Sequence, residues 1–106
     1  MTIFDKREQA FEDKFVHDEE MLFRANARRN RLLGFWAAEK LGKTGVQAEA
    51  YAEEVVRVDV DHPGSANVLQ KIRRDFDAAG VAQSDHQIRR RMDELLTMAL
   101  ASLKSA

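Results

Sequence analysis

The sequence predicts an all-α fold, a small four-helix bundle with a long first helix or a mobile N-terminal arm. Three observations carry that prediction. Apolar residues recur at three- and four-residue spacing along most of the chain, which is the helical period. One Pro and five Gly are few interruptions for 106 residues, and all-β or disordered chains carry more. Where breakers do fall, helix-capping residues stand beside them. The length suits a single domain, residues 1–106, with one hydrophobic core.

The first helix is legible from Leu22 onward, where Leu22, Ala25, Arg29, Leu32, Leu33, Trp36, Ala37 and Leu41 share one face. Gly42 follows the last apolar residue and ends it. Thr44 with Gln47 reads as a capping box opening the second helix, whose stripe is Ala48, Tyr51, Ala52, Val55 and Val58. The β-branched run Val55–Val60 invites a strand, but Ala50, Ala52, Glu53 and Glu54 before it favour helix, and no second strand lies nearby to pair with it. Asp61-His62-Pro63-Gly64 is the strongest breaker in the chain. Ser65 is the expected N-cap of a third helix, with Val68, Leu69, Ile72, Phe76 and Ala79 on one face and Gly80 closing it. Ser84 and Gln87 form a second capping box, Asp85 complements the dipole, and Ile88, Met92, Leu95, Leu96, Ala99 and Leu103 line the fourth helix. Short connections make consecutive helices antiparallel, an up-and-down arrangement.

Residues 1–20 resist dismissal as a tail, and they are set apart as an N-terminal arm from the bundle, residues 21–106. Phe4, Phe11 and Phe15 continue the stripe of the first helix backwards, and no Gly or Pro precedes Gly34. Pattern alone permits one helix from about Asp5 to Leu41, roughly 55 Å long, against about 30 Å for the fourth helix. The bundle cannot cover all of it. The N-terminal half projects, or breaks and folds back, or orders only on a partner. Its seven acids (Asp5, Glu8, Glu12, Asp13, Asp18, Glu19, Glu20) outnumber three bases (Lys6, Arg7, Lys14). Phe residues on a charged, uncovered helix suit docking into a groove elsewhere. The plainer alternative is that Phe11 and Phe15 pad the end of the bundle.

Composition removes several function classes. The charge is near balance, 17 basic against 18 acidic residues, whereas nucleic-acid-binding domains run basic. Zero Cys excludes disulfides and a thiol nucleophile. No apolar run is long enough to span a membrane, and the charged start carries no signal-peptide core. The expectation is a cytoplasmic protein without membrane insertion. No phosphate loop, nucleophile elbow or zinc-binding His pair is present, so no catalytic residue and no metal is assigned. His17, with Asp13 at i−4 and Glu20 at i+3, is a candidate pH sensor on a solvated face. Asp59, Asp61 and His62 read as turn chemistry beside Pro63-Gly64. His86, in the first turn of the fourth helix, reads as structural. Arg24, Arg28, Arg29 and Arg31 in the first helix and Arg89, Arg90 and Arg91 in the fourth read first as a solvated, ion-paired surface. The sharper alternative is an anion or nucleotide-phosphate site, built from Arg24, Arg28, Arg29, Arg89 and Arg90, that would make the chain a small sensor domain.

Five blocks stand out as they are written: Phe4-Asp5-Lys6-Arg7-Glu8; Phe15-Val16-His17-Asp18-Glu19-Glu20; Ala27-Arg28-Arg29-Asn30 through Leu33-Gly34-Phe35-Trp36-Ala37-Ala38-Glu39-Lys40-Leu41-Gly42; Arg73-Arg74-Asp75-Phe76; and Ser84-Asp85-His86-Gln87-Ile88-Arg89-Arg90. Together, from Phe4 to Leu95-Leu96, they resemble the ζ subunit of the alphaproteobacterial F-type ATP synthase, a family first catalogued as a domain of unknown function. The resemblance implies a four-helix fold and a regulatory subunit, not an enzyme, that inhibits ATP hydrolysis by the synthase's catalytic head. It implies that the N-terminal segment, Met1 to about Glu19, is the inhibitory element. Such a helix inserts between catalytic subunits at a closing interface and blocks rotation in the hydrolytic direction, similar in action to the mitochondrial inhibitor protein. Carried onto this sequence, the contacting residues are Phe4, Asp5, Lys6, Arg7, Glu8, Phe11, Lys14 and Phe15. The bundle would anchor a protein that is monomeric when free. The implied partner is the head with its α, β and γ subunits, through which the protein associates with the membrane-bound synthase. Weak ADP or ATP binding has been considered for the family, without independent support from a phosphate loop here; no other cofactor is expected.

Overall fold

The computed structural model describes the backbone of residues 3–105 and the side chains of residues 18–105. Four helices follow in order: α1 (Ile3–Lys40), α2 (Gly45–Asp61), α3 (Ser65–Ala79) and α4 (Asp85–Lys104). The Val55–Val60 run lies inside α2, as its helix-forming neighbours predicted. A 38-residue α1 is about 57 Å long at the helical rise, close to the 63 Å longest dimension of the molecule. The radius of gyration is 17.3 Å, where a compact chain of this length has about 13 Å. One helix that outlasts its neighbours accounts for the difference.

Consecutive helices run antiparallel, as the short connections require. Gly34 meets Ala52 and Asn30 meets Asp59 between α1 and α2. Tyr51 meets Asp75 and Glu54 meets Lys71 between α2 and α3. Arg73 near the end of α3 pairs with Asp77 of its own helix and with Asp85 at the start of α4, and it donates to the Gln83 carbonyl. α1 packs against both α2 and α4. The core is Leu33, Ala37 and Ala38 of α1, Tyr51 and Val55 of α2, Val68, Leu69, Ile72 and Phe76 of α3, and Ile88, Met92 and Leu95 of α4. Trp36 sets its ring edge-on to Phe76 with centroids 5.7 Å apart, a favoured aromatic geometry.

Gly34 explains how α1 and α2 come so close. A Cβ at that position would lie 2.5 Å from the Ala52 Cα, so only a residue without one fits this crossing. α1 and α3 end alike. Gly42 and Gly80 take φ of 76° and 71°, and the residue after each donates back to a carbonyl five positions earlier, Lys43 to Ala38 at 2.9 Å and Val81 to Phe76 at 2.8 Å. This is the left-handed helix stop that glycine permits.

Four local expectations are corrected. Thr44 is the N-cap of α2 but its hydroxyl makes no capping bond. The Gln47 N–H that it would accept is taken by the Thr44 carbonyl at 3.2 Å. Gly64, not Ser65, caps α3, because Asp59 Oδ1 accepts the Gly64 N–H at 3.0 Å and holds the turn one residue earlier. Ala79 is exposed, since the buried face of α3 ends at Phe76. Leu22 and Leu32 are also exposed, Leu22 because it precedes Ala25, where burial along α1 begins. The Ser84–Gln87 capping box of α4 forms in full, with reciprocal bonds of 3.1 and 2.9 Å.

Candidate functional site

The amphipathic pattern of α1 is answered by neighbours over only part of its length. Among its described side chains, Asp18, Glu19, Glu20, Leu22, Phe23 and Arg24 are exposed, and Ala25 is the first that is buried. Phe23 stands 73% exposed, although Phe is among the side chains most often found inside a fold. The side chains of Phe4, Asp5, Lys6, Arg7, Glu8, Phe11, Lys14 and Phe15, assigned to the inhibitory segment, and of His17, the candidate pH sensor, lie outside the described residues. Their backbone belongs to α1.

The two arginine clusters do not gather into one site. Arg29 is drawn into the bundle with 5% of its surface exposed. Its Nε donates to Asn30 Oδ1 at 2.8 Å, and Asn30 Nδ2 donates to Asp59 Oδ2 at 3.0 Å. Because Asp59 also holds the Gly64 N–H, this chain of bonds ties α1 to the turn between α2 and α3. Burial pushes the Arg29 guanidinium down from its ordinary value, while Asp59 and Asp93 pull it back up. Its two Nη groups make no hydrogen bond or ion pair among the described residues. Beside it, Arg89, the start of α3 at Gly64–Ala66, which no side chain caps, Leu69, Met92 and Asp93 line a cleft of about 760 Å³.

Arg24, Arg28 and Arg31 turn to the other side of α1. There they share a groove of about 750 Å³ with Arg57, Glu53 and Asp61 of α2, over Ala27, Val56 and Val60. Arg28 also donates to the Ser102 hydroxyl of α4, and Arg31 lies over the Phe35 ring, 5.2 Å from its centroid. Arg90 faces solvent elsewhere on α4 and Arg91 is half-buried there, its Nε without a partner among the described residues. Both pair with Glu94, at 3.3 and 3.1 Å. For those two, the ion-paired surface reading applies. His62 caps the C-terminus of α2 and is exposed, as is His86 in the first turn of α4. Among the described residues no group of His and carboxylates has metal-binding geometry, and no helix is long and apolar enough to cross a membrane.

Several participants were not singled out by sequence reasoning. Asn30 bridges Arg29 and Asp59, yet in sequence it is one polar residue among charged ones. Phe23 stands beside the apolar stripe instead of on it, which was the available signal. Arg57 looked like an isolated base in an acidic helix. Only the α1–α2 pairing sets it among the arginines of α1.

A structure solved by solution NMR superposes on this chain with a TM-score of 0.69 and 40% sequence identity, over 80% of this chain and 96% of the other. No curated protein matches the chain. A family model described as ATPase inhibitor subunit zeta matches residues 1–102, which takes in α1, α2, α3, most of α4 and the whole core. That agrees with the resemblance carried by the Phe4–Glu8, Ala27–Gly42 and Ser84–Arg90 blocks. With the match spanning nearly all of its 106 residues, the chain belongs to the ATPase inhibitor subunit zeta family.

Proposed function

We propose that this chain is a non-catalytic regulatory subunit that restrains ATP hydrolysis by an F-type ATP synthase, its N-terminal segment acting as the inhibitory element. The observation that carries the reading is the imbalance of α1. The helix begins at Ile3, but its first buried side chain among those described is Ala25. A helix can enter a groove on another protein only if its own fold leaves it uncovered. In this reading residues 1–20 form the arm and residues 21–106 the anchor. The arm inserts between catalytic subunits of the head, with Phe4, Phe11 and Phe15 filling apolar pockets and Lys6, Arg7 and Lys14 pairing with acidic groups. Asp5 and Glu8 then meet basic or backbone N–H partners. Blocking one catalytic interface from closing stops the rotary cycle in the hydrolytic direction. Free protein is monomeric in this scheme.

Removal of residues 1–19 abolishes inhibition of the purified head while the remaining helices stay folded. An ATPase titration with the full and shortened chains, with circular dichroism on both, makes the test. Undiminished inhibition by the shortened chain sinks the reading. A second reading, weak anion or adenine-nucleotide binding, is favoured by the Nη groups of Arg29, unpaired among the described residues, beside Arg89 and the start of α3. It expects saturable amide shifts at Arg29, Ser65 and Arg89 on adding ADP, and their absence rejects it.

A further inference from the structure

We infer that the groove between α1 and α2, lined by Arg24, Arg28, Arg31 and Arg57, is a second docking surface that takes an acidic helix with apolar anchors on the synthase head. The inference rests on the proposed function for the identity of the partner assembly, but its grounds are separate from those of the arm. Three features of the groove point the same way.

First, its charge is unspent. Lys71, Arg73, Arg90 and Arg91 each hold a carboxylate of this chain within 3.3 Å. None of the four groove arginines makes such a pair among the described residues, although Glu53 and Asp61 stand in the same groove. Among the described residues their one bond to another helix is from Arg28 to the Ser102 hydroxyl, which neutralises nothing. Four arginines against two acids leave the groove positive within a chain whose net charge is −1.

Second, its floor and rim are apolar where solvent should be met by polar groups. Phe23 is 73% exposed and Val60 67% exposed, and both line the groove beside Ala27 and Val56. An exposed aromatic with an exposed valine, ringed by arginine, matches the composition of protein interfaces, where aromatic residues and Arg are enriched. Arginine also suits the task because its planar fork binds carboxylates in a bidentate manner and loses little freedom per bond.

Third, its direction fits a helix. Residues 24, 27, 28 and 31 of α1 and 53, 56, 57 and 60 of α2 are spaced by three and four, so the groove runs along the two helix axes for about two turns. It lies on the same helix as the arm, and Arg24 follows Glu20 by one turn. A partner that engages α1 near residues 3–17 therefore stands roughly 10–30 Å from the groove. Two linked contacts at that spacing raise the effective concentration of the second, so each can be weak while the pair is retained.

An anionic membrane surface would meet the same arginines, but a surface that broad also meets Asp18, Glu19 and Glu20, exposed nearby on α1. A single helix seated in the groove need not, since these acids do not line it. An acidic protein helix is the better match.

The test uses the full chain and the purified synthase head. Arg24→Glu with Arg57→Glu reverses the groove, and Arg74→Glu, an exposed site away from it, is the charge control. The double variant is expected to dissociate from the head about tenfold faster, because like charges set opposite one another across an interface are unfavourable. Raising salt speeds release of the wild-type chain but not that of the double variant, since screening weakens an attraction in the first and a repulsion in the second. The Arg74 control behaves as wild type. A photo-crosslinker at position 31 is expected to capture an acidic helix of the head. Equal dissociation of wild type and double variant overturns the inference while leaving the inhibitory reading intact. Failure of the wild-type chain to bind the head at all overturns both. Capture of a second copy of the chain, or retention on anionic vesicles that is lost in the double variant, assigns the groove to another occupant and overturns the inference alone.

Discussion

Tyr51 is the only tyrosine of the chain, and its environment makes a clean pH prediction. Its hydroxyl donates to Asp75 Oδ2 at 2.8 Å, and Lys71 lies over its ring, 5.0 Å from the centroid. Burial first, and then the bond to Asp75, push the phenol far above its ordinary value of 10.0. The unfolded chain ionises near that ordinary value and the folded one does not. The stabilisation is therefore complete below pH 10 and declines as pH rises above it. Phenolate absorbance is expected to appear only together with loss of the helical signal in an alkaline titration. A phenolate that forms near pH 10 in a chain still helical contradicts this. Gly34 supports a second prediction. Alanine is the better helix former by up to about 1 kcal/mol, yet its Cβ would fall 2.5 Å from the Ala52 backbone. Backbone cannot turn aside as a side chain can, so the clash wins. Gly34→Ala should cost about 1–3 kcal/mol net, read as a lower urea midpoint.

At the scale of elements, the two capping signals in the sequence look alike and fold differently. Ser84 and Gln87 exchange both bonds of the box, whereas the Thr44 hydroxyl makes none. Ser84→Ala should therefore destabilise by about 1 kcal/mol. Thr44→Ala should fall within about 0.5 kcal/mol, as exposed substitutions without a partner do. Chemical denaturation of the two variants side by side measures the contrast, and equal losses would refute it. Most helix starts, stops and buried stripes were legible because each depends on residues within one or two turns, though the start of α3 fell one residue early and Leu22 and Leu32 are exposed. Val68, Leu69, Ile72 and Phe76 were all placed correctly on the buried face of α3. Ala79 was misplaced because period alone does not say where a neighbouring helix ends.

For the whole molecule, the length of α1 sets the dimensions. Every buried residue among those described lies at Ala25 or later, so the chain lacking residues 1–19 keeps its core. Its melting temperature should stay within a few degrees of the full chain's. Its radius of gyration, 17.3 Å in the full chain, should fall to about 12–13 Å in small-angle scattering. Collapse of the helical signal on shortening would show instead that the start of α1 supports the bundle. The same deletion tests inhibition, so stability and activity are read on one protein. Loss of activity with the fold retained separates arm from anchor.

Four helices, one core and a first helix too long for its bundle were legible in the chain alone. Helical period and caps are local chemistry, and the excess length is arithmetic on that chemistry. The site was less legible. The run of arginines in α1 was visible as a cluster, but a helix turns 100° per residue and splits it, sending Arg29 inward to Asn30 and Asp59 and leaving Arg24, Arg28 and Arg31 outside. Whether Arg57 joins them, whether Phe23 is covered, and how near Gly34 comes to Ala52 depend on contacts between residues about 18 to 37 positions apart. Such contacts follow from how the helices pack against one another, and no local pattern encodes them.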